Sequence, residues 1–138
     1  MAFLLDEPAA VQVESELRDA SQPAHISALN LAEVVDVMAR IYKRPSSSTM
    51  DALILLEAGG LEVVPVDADL GVEAGQLHAR LYDRQTSPLS MADCVALATA
   101  ATLGERLATS DPPLAAAAAS EGVGLIPLLD SRGGTPGP

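Results

Sequence analysis

PLSMADCVALATAATLGERLATSDPPLAAAAASEGVGLIPL, residues 88–128, decides the fold of this chain. Ser90 and Asp93 open it in a capping-box-like arrangement, a hydroxyl followed three residues later by an acid. No charge appears in residues 94–103. That predicts a helix over 90–103 that is buried all round. Gly104 ends it. Residues 106–109 read as a short strand. An Ala-rich helix follows over 112–121, opened by Asp111 and Pro112 and closed by Gly122. A last strand spans 123–128. A strand, a helix and a further strand in succession predict parallel pairing, and so an α/β class with a parallel sheet.

The same alternation extends toward the N-terminus. Residues 1–5 are apolar, and 9–19 read as a helix with Val11, Val13 and Leu17 inward. A short strand is expected over 24–29. Residues 30–44 carry an amphipathic helix, with Leu31, Val34, Val35, Met38, Ile41 and Tyr42 at helical spacing. Pro45 ends it. A second helix runs over 46–58, from a Ser/Thr start to Gly59-Gly60, so the two form an αα-hairpin. LEVVPV, residues 61–66, is a strand whose Pro65 suggests a sheet edge. A helix over 67–83 follows, with Leu70, Ala74, Leu77 and Leu81 on one face. There is no internal repeat. One domain over 1–130 is expected, with a disordered Gly/Pro-rich tail over 131–138.

Composition narrows the function. The chain has 138 residues, 49% of them hydrophobic, which suits one domain with a sizeable aliphatic core. Phe3, Tyr42 and Tyr82 are its only aromatics, too few for a base-stacking platform. Net charge is −11, from 19 acids against 8 Lys and Arg. Binding of nucleic acid through a broad basic face is thereby excluded. Arg40, Lys43 and Arg44 form the one tight basic cluster; they suit a helix C-terminus and could guide RNA. The single cysteine, Cys94, rules out internal disulfides and multi-cysteine zinc sites, and reads as a small buried hydrophobe. His25 reads as a strand or loop residue, and His78 as a helix residue with no role at a site. No signal-peptide pattern or membrane-length apolar run appears, so a soluble cytoplasmic protein is expected.

Three acids stand out: Glu33, Asp93 and Asp111. Each is placed at a helix start. In parallel α/β sheets, ligands bind outside the carboxyl ends of the strands, where such positions converge. Three acids in one cleft repel one another unless a cation sits among them. Each also has a simpler reading. Asn30/Glu33 and Ser90/Asp93 resemble capping pairs, Asp111 before Pro112 is an N-cap, and Glu33 falls opposite the apolar stripe of its helix. Asp93 resists that reading most, because a carboxylate beside a buried helix needs partners. Hard oxygen donors of this kind suit Mg²⁺ or Mn²⁺ and the hydrolysis of phosphodiesters.

ISALNLAEVVDVMARI, PLSMADCVALATAATLGERLATSDPPLAAAA and the leading LLDEPAA together resemble the PIN-domain ribonucleases, in particular the VapC toxins of bacterial toxin–antitoxin modules. The similarity covers nearly the whole chain apart from the tail. It implies a three-layer α/β/α fold and metal-dependent endonucleolytic cleavage of RNA. It also implies that Glu33, Asp93 and Asp111 are the family's second, third and fourth metal-binding acids, for Mg²⁺ or Mn²⁺, with Thr109 and Ser110 as supporting polar residues. The partners it implies are an RNA substrate, a VapB-like antitoxin and a second copy in a homodimer. Neither DNA nor a membrane is among them.

The sequence departs from the family at its start. The family opens with a central strand ending in its first metal-binding Asp, and Asp6 is not that residue because LLDEP belongs to the following helix. This strand is expected to be missing from the chain, with Met1 a misplaced start or the gene decayed. The competing expectation is an inert PIN-like remnant that only binds an antitoxin-like partner. A structural α/β domain with capped helices and no site is a third.

Overall fold

The computed structural model describes residues 2–5, 7–18 and 23–135. A 3-10 helix, Ala2–Leu5, is followed by α1 (Ala10–Arg18), β1 (Ala24–Ser27), α2 (Ala28–Arg40), α3 (Ser46–Ala58) and β2 (Leu61–Val64). Then come α4 (Ala68–Leu81), α5 (Met91–Leu103), β3 (Leu107–Thr109), α6 (Pro112–Ser120) and β4 (Leu125–Pro127). The fold is mixed α/β with parallel strands, the expected class. The chain divides into two compact units, Met1–Pro65 and Val66–Pro138. Each holds one parallel pair of strands, β1 with β2 and β3 with β4.

In the first unit, β1 and β2 pair in register from Ala24 opposite Leu61 to Ser27 opposite Val64. Ser27 both ends β1 and caps α2: its Oγ accepts the Asn30 N–H at 3.1 Å and donates to Asn30 Oδ1 at 2.5 Å. The helix therefore starts two residues before the expected Asn30. It also ends at Arg40, four residues before the expected limit. Pro45 disfavours the helical conformation at the residue before it. The chain unwinds ahead of it, with Lys43 in the left-handed region at φ 55° and the Arg44 N–H donating to Met38 O at 3.0 Å. Helix α3 has the expected limits. Pro65, expected inside the strand, lies just beyond β2. Helix α1 buries no side chain, and Val11, expected inward, is 75% exposed. LLDEP, expected to belong to this helix, precedes it: the helix begins at Ala10, and Asp6 lies outside the described residues.

Among the described residues of this unit, few are buried: Ala9, Ser27, Met38, Thr49 and Leu53. Thr49 is costly among them, because its Oγ1 is buried with no hydrogen-bond partner. The acceptor a helical threonine would use is already crowded. Pro45 O takes the Ser48 N–H (3.1 Å), the Ser48 Oγ (2.8 Å) and the Thr49 N–H (3.3 Å). Thr49→Val keeps the side chain's shape and removes the stranded hydroxyl. It is expected to stabilise the protein by about 1 kcal/mol. A urea titration checks this through a raised midpoint at unchanged slope.

The second unit holds the main core. Leu70, Ala74 and Leu77 of α4 pack with Cys94, Val95, Leu97 and Ala98 of α5, and with Leu89, Leu107, Leu114 and Ala118. The uncharged body of α5 explains why it sits inside. Cys94, Val95 and Leu97 to Ala100 are buried and Ala96 partly so, while Ala101, Thr102 and Leu103 are exposed, so it is not buried to its end as expected. Gly104 stops the helix at φ 69°, a left-handed conformation that glycine adopts without penalty. Asp67 caps α4 by accepting the Leu70 N–H at 2.9 Å. Strand β3 then pairs with β4 from Leu107 opposite Leu125 to Thr109 opposite Pro127. Just before the expected tail, Asp130 Oδ1 accepts the N–H groups of Arg132 and Gly134 within it at 2.8 Å and shapes a turn; residues 136–138 lie outside the described residues.

Candidate active site

Asp93 occupies the first turn of α5, where the sequence places it. Its Oδ2 accepts from the Ser90 N–H and from the Ser90 hydroxyl, both at 2.7 Å, while its own N–H donates to Ser90 Oγ at 3.1 Å. The capping box is thus complete. Both bonds fall on one carboxylate oxygen. Among the described residues, Oδ1 has no hydrogen bond and no cationic side chain pairs with Asp93.

Asp111 stands at the start of α6, with Pro112 as the first helical residue. Its Oδ2 accepts the Leu114 N–H at 2.9 Å, and its own N–H donates to Thr109 Oγ1 at 3.0 Å. Thr109 is buried at the end of β3 and fixes the backbone just where the acid emerges. Ser110, between them, is half-buried. Asp111 itself is exposed, and its Oδ1 also has no hydrogen bond among the described residues. Helix α5 packs against both β3 and α6, the elements between which Asp111 lies.

Glu33 belongs to the first unit. It was expected in the first turn, with Asn30 as cap. Because Ser27 is the cap, Glu33 lies in the second turn of α2, exposed, and no acid occupies the first turn. Among the described residues, no group of three or more His, Cys, Asp or Glu side chains converges on one point.

The basic cluster is uneven. Arg40 Nε donates to Asp36 Oδ2 at 3.0 Å one helical turn away, which offsets its charge. Lys43 and Arg44 are exposed, and neither has an ion-pair partner among the described residues. Of the histidines, His25 lies in β1 with Nε2 3.5 Å from Glu62 Oε2 on the neighbouring strand. His78 stacks on Tyr82 with ring centroids 4.8 Å apart. Cys94 is fully buried next to Asp93. Burial pushes its thiol up, and the adjacent Asp93 charge adds to that, so it stays protonated and unreactive. Ser90 and Ser27 carry the two caps flanking the acids. The first was legible as a capping partner; the second was hidden, because Ser27 reads as an ordinary residue of a short strand.

The described side chains can be tested against a metal. Carboxylate oxygens are the donors Mg²⁺ accepts, and it takes one or two of them while keeping several waters. Asp93 and Asp111 each commit Oδ2 to a cap and leave Oδ1 for a cation, so the donor chemistry fits. The sequence profile of the PIN domain matches residues 1–120. The chain belongs to the PIN-domain family. PIN domains are in general nucleases, and they typically act with divalent metal ions. Among curated proteins, none matches the chain. No helix of the described residues is long and apolar enough to cross a membrane.

Proposed function

We propose that this PIN domain is a metal-dependent endoribonuclease of the VapC toxin type, hydrolysing RNA phosphodiester bonds in the cytoplasm. The observation that carries the reading is the pair of acids of the second unit, Asp93 and Asp111, each with one carboxylate oxygen held by a helix cap and the other uncommitted. Such caps hold a ligand oxygen in a fixed rotamer, the preorganisation a metal site needs. The family pattern gives Glu33 the same role. A bound Mg²⁺ or Mn²⁺ would supply an activated water and neutralise charge on the phosphate. Asp93 and Asp111 would hold it. Thr109 positions Asp111 through its backbone, with Ser110 beside it. Lys43 and Arg44 would take phosphates of the RNA, and Arg40 contributes less because Asp36 already pairs with it.

A net charge of −11 makes a cationic segment the fitting blocker of such a site, as a VapB-like antitoxin would supply.

Metal binding is tested without catalysis. Mn²⁺ should raise the melting temperature of the wild-type chain by preferential binding to the folded state, an effect of about 2.7 kcal/mol at a hundredfold excess over Kd. The shift should shrink in Asp93→Asn. A melting temperature blind to Mn²⁺ in both proteins would contradict the proposal and leave a partner-binding remnant or a plain structural domain.

A further inference from the structure

Asp93 and Asp111 are held by different means. Backbone groups alone bond the carboxylate of Asp111: its Oδ2 accepts the Leu114 N–H, while Thr109 Oγ1 accepts the Asp111 N–H. Among the described residues, Ser90 is the one side chain that donates a hydrogen bond to either carboxylate. Its hydroxyl gives its proton to Asp93 Oδ2 at 2.7 Å, the length of a bond to a charged oxygen. The Ser90 N–H reaches the same oxygen at 2.7 Å, and the hydroxyl oxygen in turn accepts the Asp93 N–H at 3.1 Å. A serine hydroxyl has one proton to give, and here Asp93 takes it. Turning the Ser90 side chain away would break two of these three bonds.

Donor and acceptor are each anchored by a buried neighbour. Leu89, just before Ser90, is 2% exposed within the core that includes Leu97, and its N–H donates to Ser87 O at 2.8 Å. Cys94, just after Asp93, is fully buried, and its N–H donates to Ser90 O at 3.1 Å. The pair therefore sits on a rigid support, as a preorganised site requires. Capping α5 needs only the hydroxyl oxygen, as an acceptor. The donated proton is beyond that need. It pins Oδ2 from the side chain as well as from the backbone, and leaves Oδ1 as the one uncommitted oxygen. Partners of this kind, behind a ligand, set how tightly a metal is held.

We infer that Ser90 is a positioning residue for the metal, its hydroxyl proton fixing Oδ2 of Asp93 so that Oδ1 alone is left to the cation. This rests on the proposed role of Asp93 as a ligand. Ser90 touches neither the cation nor RNA in this role and acts only through Asp93.

Two substitutions in the full chain separate positioning from capping. Ser90→Gly removes the hydroxyl, yet glycine is nearly as good a cap residue as serine, so the helix start survives. Ser90→Thr keeps the hydroxyl. Mn²⁺ is titrated into each protein, and the electron paramagnetic resonance signal of the free ion gives the amount bound. Ser90→Gly is expected to bind Mn²⁺ about tenfold more weakly than wild type, and Ser90→Thr as tightly as wild type. Melting curves without metal check that both variants fold. Wild-type affinity in Ser90→Gly would reduce Ser90 to a helix cap and overturn the inference, with Asp93 still a ligand. Ser90→Thr binding as weakly as Ser90→Gly would overturn it too, since the hydroxyl would not be the group that matters. A wild-type chain that binds no Mn²⁺ would overturn the proposed metal site itself, and this inference with it.

Discussion

Asp93→Asn is expected to lower RNA cleavage by about 10²–10³-fold, the scale of removing one group that stabilises the transition state. The substitution is chosen to separate chemistry from folding. Asn keeps a side-chain carbonyl that can accept the Ser90 N–H, so the start of α5 stays capped. What it removes is the negative charge and the anionic oxygen that a divalent cation would take. The stability cost is that of a weakened cap, about 1 kcal/mol or less. A control of equal charge change is available at Asp83, an exposed acid whose Oδ1 accepts the Gln85 and Thr86 N–H groups in a turn. Asp83→Asn should cleave RNA at the wild-type rate. Side-by-side rates on one RNA, with melting curves for all three proteins, check the prediction. Equal activity in Asp93→Asn and wild type would remove Asp93 from the site.

Leu97→Ala should be the most damaging single truncation in the second unit, costing about 2–5 kcal/mol. Leu97 has no exposed surface and lies within the cluster formed by α4, α5, β3 and α6. Its neighbours along α5, Cys94 and Ala98, are equally enclosed, so they cannot close over the space the side chain leaves. A whole domain is stable by only about 5–15 kcal/mol, so this one change removes a large share of the total. Leu55→Ala removes the same atoms from a position 73% exposed. In the monomeric chain it should stay within about 0.5 kcal/mol of wild type. Urea unfolding of both variants measures the contrast. A loss below about 1 kcal/mol for Leu97→Ala would mean that α5 is not the centre of this core.

Much of this fold is legible where one residue type decides the matter. The uncharged run after Asp93 places α5 inside, Gly104 stops it, and Ser90 and Asp111 each cap the helix they precede. The limits of α3 match the expected Ser/Thr start and Gly59 end, although Pro45 occupies the cap position and no side chain caps the helix. The ends of α2 were not legible, for two physical reasons. Ser27 is both the last strand residue and the cap, and nothing in the periodicity separates Ala28 and Leu29 from a strand. At the other end, the unwinding depends on Lys43 taking a left-handed conformation that its residue type does not advertise. Val11, expected inward with Val13 and Leu17, is exposed because two residues separate it from Val13, about 200° round the helix, whereas Val13 and Leu17 are one turn apart and share a face. The pairing of the strands as two separate parallel pairs was likewise unreadable.

The candidate site divides in the same way. Which residues carry hard oxygen donors is a property of the sequence, and Asp93 and Asp111 lie where their caps predict. Which oxygen each cap consumes is a property of three dimensions. It appears only once Ser90 and Leu114 are seen to share Oδ2 of their respective acids, leaving Oδ1. The position of Glu33 in the second turn of α2 follows from the Ser27 cap and could not be read without it.

An end-labelled single-stranded RNA incubated with the purified chain, in Mn²⁺ and separately in excess EDTA, tests the nuclease directly. Discrete internal cleavage in Mn²⁺, none in EDTA and none with Asp93→Asn is the expected result. RNA that stays intact with Mn²⁺, or that is cut equally well in EDTA, would contradict a metal-dependent ribonuclease.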